Sequence, residues 1–390
     1  GAQPTYGLAR NLALLLSVGK RALMLDDDII PQAIAPPLAA KNLDFATPNE
    51  REAQFYASRE ALSEHALPLP DSPLAMMLDA LGQPLPTLIA EHLTDHARLV
   101  GTDGELLTRH GQASRVLVSQ CGSWGDPGTA NGNWIFNLPA ASIKKLLEQS
   151  DDLQGLLSAR SHWLGYRGPA LTHYGTLSQL TGLDHSVTLP PYLPAGRGED
   201  SLFGIMVQRL HPDCAVWNEG WAIRHENAED RDHRTAMSPL SARPGLSLLV
   251  DFLGHEPRDQ WGLSPAARLT GLAHQVRALA TMELGALENI VREELVSKRG
   301  ALLTRCIDHL KELGAMADLA GAPAWQTFLE QSRDQLVKEL QTPEPNPLAS
   351  VGGVAQDQAG IQQLREHGEQ FGNGLEAWLS ICEAAATFKA

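Results

Sequence analysis

"RALMLDDDIIP", residues Arg21 to Pro31, sets three acids directly after a short, mostly apolar run and closes on a proline. The run reads as a short buried strand. Before it, "TYGLARNLALLLSVGK" places Leu8, Leu12, Leu15 and Leu16 at helical spacing, and Gly19 is a suitable stop. Helix, tight turn, strand and polar residues at the strand's C-terminal end form an α/β signature, and ligands of open α/β sheets collect at that end. Three neighbouring carboxylates repel one another, so the arrangement costs stability unless a positive group sits among them. If the chain bends after the strand, Asp26 and Asp28 point into the same space. They can then bind one hard divalent cation and leave positions for phosphate oxygens. Asp27, pointing away, would cap a turn or hold a ligand hydroxyl. A solvated acidic turn accounts for the triplet equally well.

The remaining composition narrows the classes. The chain has 390 residues, 43% hydrophobic and 20% charged, which is globular and enough for two or three domains. A formal net charge of −15 with no basic run argues against a general nucleic-acid binder, though not against a phosphate-bearing ligand held by an arginine and a metal. Cys121, Cys214, Cys306 and Cys382 form no CxxC pair, which suits a reducing, cytoplasmic setting over a disulfide framework. No apolar run is long enough to span a bilayer, and the start does not read as a signal peptide. The chain opens with Gly and enters a helical pattern almost at once, as expected of a processed or cut chain.

Along the chain, residues from Pro31 to Pro86 read as irregular and proline-rich, with a helix around "PNEREAQFYASREALSEHA". "SRVLVSQ" alternates like a strand and runs into the loop-like "CGSWGDPGTANGNW". "SIKKLLEQSDDLQGLLSAR" reads as one helix. "CAVWNEGWAIRHE" reads as a strand and turn ending at His225. After about Gly262 the chain turns Ala/Leu-rich and amphipathic, with Ser264 and Pro265 as a fitting helix start. The expected organisation is an α/β domain over residues 1–260 and a helical domain over 261–390.

"GRGED" adds a second cluster. Gly196 and Gly198 permit close backbone approach, and Arg197 suits a phosphate or carboxylate. Glu199 and Asp200 fall at a helix start, where the helix dipole favours ionised acids. An ionised Asp there can take a proton from a hydroxyl, while plain helix capping explains either acid alone. At His225 a neutral imidazole can complete a metal's shell, or simply hydrogen-bond. Trp124, Asp126 and Trp134 in the Gly-rich loop, and Trp163, Tyr166 and Arg167 in "SHWLGYRGPALTHYG", suit an acceptor subsite or an ordinary packed junction.

Taken in order, "RNLALLLSVGKRALMLDDDIIP", "GRGEDSLFG" and "WAIRHE" resemble glycosyltransferases of the GT-A fold, in particular the bacterial family 2-like group. The resemblance covers roughly the first 230 residues. It implies a Rossmann-related, GT-A-like mixed sheet flanked by helices, here with an added all-α C-terminal domain. It also implies a DxD motif in which Asp26 and Asp28 serve Mn²⁺ or Mg²⁺ and a UDP- or GDP-sugar, with His225 as a further metal ligand. Arg10, Asn11, Asp26, Asp27 and Arg197 would bind the donor. Asp200, next to Glu199, would be the catalytic base of an inverting transfer to an acceptor hydroxyl. Such enzymes carry a nucleotide-binding βαβ unit before the DxD strand. The short stretch ahead of Asp26 cannot supply it, so part of that unit is expected to be missing. The helical domain would shape the acceptor site, dock a partner or form a homodimer. A haloacid dehalogenase-type phosphohydrolase, with Asp26 as nucleophile, and a non-catalytic scaffold are the alternatives. There is no GxSxG elbow and no HExxH to support a serine hydrolase or a zinc protease.

Overall fold

The computed structural model describes residues 6–47, 51–69, 72–94, 110–126, 133–175, 179–194, 198–226, 237–240, 247–254, 263–342, 347–350 and 358–388, together with Gly104 and Thr108. The elements follow in chain order: α1 (Tyr6–Ser17), β1 (Arg21–Leu25), β2 (Ile29–Ile34), β3 (Asp44–Phe45), β4 (Glu52–Phe55), α2 (Arg59–His65), α3 (Pro73–Ala80), α4 (Leu85–His92) and β5 (Val116–Gly125). Then come α5 (Ala140–Gln149), α6 (Leu153–Ser158), β6 (His162–Gly165), β7 (Ala170–Thr172), β8 (Leu180–Asp184), α7 (Glu199–Leu210) and β9 (Ala215–His225). The rest is helical: α8 (Ser247–Gly254), α9 (Pro265–Thr281), α10 (Leu284–Leu313), α11 (Ala322–Gln341) and α12 (Gln358–Phe388).

Among the described residues, nine strands form one mixed sheet. Its spine is the parallel pair β5 and β9, running from Val116 opposite Ala215 to Gly125 opposite His225. Each spine strand changes its other neighbour halfway along. β5 pairs with β8 over Val118 to Gln120 and with β6 over Ser123 to Gly125. β9 pairs with β7 over Val216 to Asn218 and with β2 from Ala222 to His225. Between Gln120/Asn218 and Gly122/Ala222 the register shifts, so Glu219, Gly220 and Trp221 bulge opposite Cys121. Gly220 is required there by close approach, because a Cβ on it would meet Gly168 Cα at 2.6 Å.

Several local expectations change in this context. β1 is one edge of the sheet and, among the described residues, pairs only with β8; Met24 is buried while Leu25 is exposed. Pro31 does not end the segment but lies within β2, at the irregularity between Ile30 and Ala33. "EAQF" is strand β4, paired with β6, and the expected helix begins only after the Ser58 cap. The Gly-rich "CGSWG" continues β5, fully buried, because its glycines sit where flanking strands press closest. The "SIKKLL…LLSAR" helix breaks into α5 and α6, with Asp152 capping α6 through Gly155 N–H at 2.8 Å.

The C-terminal helices share cores with the sheet region. One apolar cluster joins Leu14 of α1, Met24 of β1 and Leu202, Phe203 and Met206 of α7 to Leu269 and Leu272 of α9 and Leu375 and Trp378 of α12. A second joins Phe55 of β4 and Ile143 and Leu146 of α5 to Cys306 of α10 and Trp325 and Phe328 of α11. No helix among the described residues is long and apolar enough to cross a membrane.

Candidate functional site

The candidate site lies where α1, the β1–β2 turn, the start of α7 and the ends of β5 and β9 meet. The turn is closed by Ile29 N–H donating to Asp26 O at 3.3 Å, and it is tied to β9 by Glu226 N–H donating to Asp28 O at 2.9 Å. Asp27 is exposed at the turn's tip. Asp26 and Asp28 leave the turn toward different partners.

Asp26 faces Arg10, whose Nη2 donates to Oδ1 at 2.6 Å, while Nη1 of the same guanidinium donates to Glu199 Oε1 at 2.6 Å. Arg10 is thus the cation shared by the first acid of the triplet and the first acid of α7. It also lies over the Tyr192 ring at 5.5 Å, and that ring stacks on Phe203 at 3.9 Å. Against the cost of burial, Asp26, Tyr192 and Glu199 hold Arg10 charged, with its pKa above the ordinary value. Burial, then the Asp28 and Glu199 charges, push Asp26 up in spite of Arg10. Asp200 is next in line: burial and the adjacent Glu199 raise its pKa, and Ser201 N–H donates to its Oδ1 at 2.8 Å.

Asp28 faces His225, with Oδ2 at 3.1 Å from Nε2. The other ring nitrogen, Nδ1, lies 3.0 Å from the backbone oxygen of Asp126. A carbonyl only accepts, so Nδ1 carries the proton and donates. On the other side of the ring the Asp28 carboxylate likewise only accepts. Such a pair needs a proton or a cation between its members.

That contact tests the implied metal. Among the described residues no group of three or more His, Cys, Asp or Glu side chains converges on one point. The Asp28 carboxylate and the His225 imidazole instead form a two-donor pair. Cations such as Mg²⁺ are commonly held by one or two carboxylates plus substrate phosphates, not by all-protein cages. The residues fit an anchor of that open kind, and not a closed one.

The other expected residues lie elsewhere. Asn11 uses both ends of its amide on one backbone unit, donating to Tyr192 O at 2.9 Å and accepting from Tyr192 N–H at 2.7 Å. It positions the segment beneath Arg10 rather than facing a donor. Trp124 and Trp163 are cross-strand partners, both buried; Trp124 Nε1–H donates to Gln32 O, and Arg224 lies over its ring at 5.2 Å. Tyr166 is buried with its hydroxyl on Thr47 O at 3.0 Å, and Arg167 pairs with Glu52 at 2.7 Å. The Trp134 ring packs against Phe55 and His162. Asp126 does reach the site, but through its backbone: its carboxylate is buried against Arg160, which donates from Nε at 2.6 Å and from Nη2. Arg197 lies outside the described residues.

Two residues here escape a reading of the sequence. Arg160 ends an unremarkable helical stretch. His162 is an isolated histidine, yet its Nδ1 donates to Gly125 O at 2.7 Å. Burial pulls its pKa down to about 4, so the ring is neutral. Its Nε2 is buried with no hydrogen-bond partner among the described residues. The only advance signal was "SWGD", glycine before acid at a strand end. Comparison of the chain with protein-family models, with curated proteins and with solved structures returns no match.

Proposed function

We propose that this chain is the catalytic part of a metal-dependent glycosyltransferase of GT-A type. It would move a sugar from a UDP- or GDP-sugar to an acceptor hydroxyl, with inversion. One observation carries the reading: two sets of charged side chains flank the β1–β2 turn, Arg10 with Asp26 and Glu199 at 2.6 Å and Asp28 with His225 at 3.1 Å. Asp200 is the neighbour of Glu199 on the same first turn of α7. Packing alone explains each acid singly; it gives no reason for this many charges to gather at the end of a sheet edge.

In this reading Asp28 and His225 hold Mn²⁺ or Mg²⁺ together with the donor's diphosphate. When bound, the ion supplies positive charge that stabilises the departing diphosphate. Arg10 keeps Asp26 and Glu199 in place and offsets their charge. Asp200 removes the acceptor hydroxyl's proton as that oxygen attacks the anomeric carbon. The bond from the anomeric carbon to the phosphate oxygen breaks, and its electron pair leaves with the nucleoside diphosphate. Burial of Asp200 raises its basicity, as a general base requires.

The test is a panel of UDP- and GDP-sugars with Mn²⁺ or Mg²⁺, read by thermal stabilisation and by release of nucleoside diphosphate. A matching donor at a hundred times its Kd stabilises the fold by about 2.7 kcal/mol. That gain is expected to vanish in Asp28→Ala. Asp200→Asn is expected to keep the stabilisation and lose transfer by roughly 10²–10⁴-fold. Full activity in Asp28→Ala, or no metal-dependent response to any donor, sinks the assignment. Binding without turnover by the wild-type protein points to a scaffold.

A further inference from the structure

β8 begins where β1 ends, at the β1–β2 turn. The residue before it, Gln179, pairs with Asp26. Asp26 N–H donates to Gln179 O at 3.0 Å, which carries the β1–β8 register one step past Leu25 opposite Leu180. Side chains alternate along a strand, so Asp26 shares a sheet face with Met24, and Gln179 shares one with Thr181 and Leu183. Met24 and Leu183 are both buried in the cluster that contains Leu14 of α1 and Phe203 of α7. Gln179 therefore stands on the face that carries Arg10 and Glu199, its Cβ about 5 Å from that of Asp26.

Two polar atoms of this cross-strand pair are unused. Gln179 Nε2 is buried and has no hydrogen-bond partner among the described residues. Asp26 gives Oδ1 to Arg10, and its Oδ2 accepts no hydrogen bond among them. The Asp26 side chain is 30% exposed, which leaves it open to a ligand. A buried donor left unpaired is costly, and an apolar side chain of the same length would avoid the cost. The neighbouring carboxylate sets the orientation of the amide, because its charge attracts the NH₂ end and repels the carbonyl. A donor beside a free carboxylate oxygen matches an alcohol hydroxyl, which donates to the acid while accepting from the amide. A phosphate oxygen only accepts, and Asp26 repels it.

We propose that Gln179 is a specificity-determining residue that, with Asp26, binds one sugar hydroxyl of a nucleotide-sugar, on the ribose or on the transferred sugar. This rests on the reading of the site as a nucleotide-sugar site. A glutamine kept for the fold alone would spend its amide on a partner within the fold.

The experiment measures binding of UDP, UDP-glucose, UDP-N-acetylglucosamine, GDP and GDP-mannose by calorimetry, with Mn²⁺ and separately with EDTA. The full chain is compared as wild type, Gln179→Met and Gln179→Glu, and each melting temperature is read without nucleotide. Gln179→Met keeps the length and removes the donor. It is expected to melt at or above the wild-type temperature and to bind roughly 3–10-fold more weakly. Equal weakening for a nucleoside diphosphate and its sugar conjugate assigns the ribose hydroxyl. Weakening confined to the conjugate assigns the transferred sugar. Gln179→Glu sets a second carboxylate beside Asp26 and is expected to bind more weakly still. A Gln179→Met protein that binds like wild type, or melts several degrees lower, overturns the proposal and leaves the glycosyltransferase reading untouched. A wild-type protein that binds none of the five probes overturns both. Binding by the wild type, weakened in Gln179→Met, that is the same in EDTA as in Mn²⁺ upholds the hydroxyl site and overturns the metal reading.

Discussion

Glu219 shows most directly what a single residue experiences in this fold. It sits in the β9 bulge, buried, and accepts from Trp217 Nε1 at 3.0 Å. Burial pushes its pKa up to about 7 against the pull of the Trp217 and Trp221 indoles. The folded state therefore binds this proton more tightly than the unfolded chain, where a glutamate titrates near 4.3. The associated stability is fully present below the unfolded value and is lost as pH rises to about 7. Glu219→Gln keeps an acceptor for Trp217 and removes the titration. Relative to the variant, the wild type should lose about 3 kcal/mol between pH 4 and 8. Urea unfolding of both proteins across that range checks this, and parallel profiles would refute it.

At the level of elements, the glycines separate packing from propensity. Gly220 marks the place where β9 exchanges β7 for β2, with the backbone of Gly168 pressed against it. Gly220→Ala should destabilise by roughly 1–3 kcal/mol, the usual cost of overpacking. Gly300, inside α10, has nothing within 4 Å of its missing Cβ. Gly300→Ala should therefore stabilise by about 0.5–1 kcal/mol, because alanine is the better helix former. Equal signs for the two changes, measured by chemical denaturation, would show that strand crowding does not set the bulge.

For the whole molecule, the question is whether the C-terminal helices stand apart. The apolar cluster beneath the site says that they share a core: Trp378 of α12 is buried among residues of α1, α7 and α9, and its Nε1–H donates to Leu189 O at 2.8 Å. Trp378→Ala should cost about 3–5 kcal/mol. Because the α1 and α7 residues that carry Arg10 and Glu199 lie over the same cluster, fluorescence and circular dichroism should report one coincident transition. A variant in which the helices melt first, with the sheet intact, would mean two independent units.

Sequence patterning by itself determined the elements with strong local signals: the α1 spacing, the apolar run ending in acids, the acidic start of α7 and the strand ending at His225. Their order was enough to name Arg10, Asp26, Asp28, Glu199 and His225 among the candidate site residues, and the structure sets Arg10 against Asp26 and Glu199 and, separately, His225 against Asp28. Local pattern could not choose strand partners. "CGSWG" has a loop's composition and "EAQF" lies in a helical-looking run, yet both are strands because neighbours far along the chain supply their hydrogen bonds. Tertiary structure alone decided that Asn11 serves a backbone, that Trp124 and Trp163 pack on each other across strands, and that Asp126 is spent on Arg160. The reason is one of range. Periodicity and capping act within a few residues, whereas the partner of a buried charge is selected by the cost of leaving it unpaired anywhere in the fold.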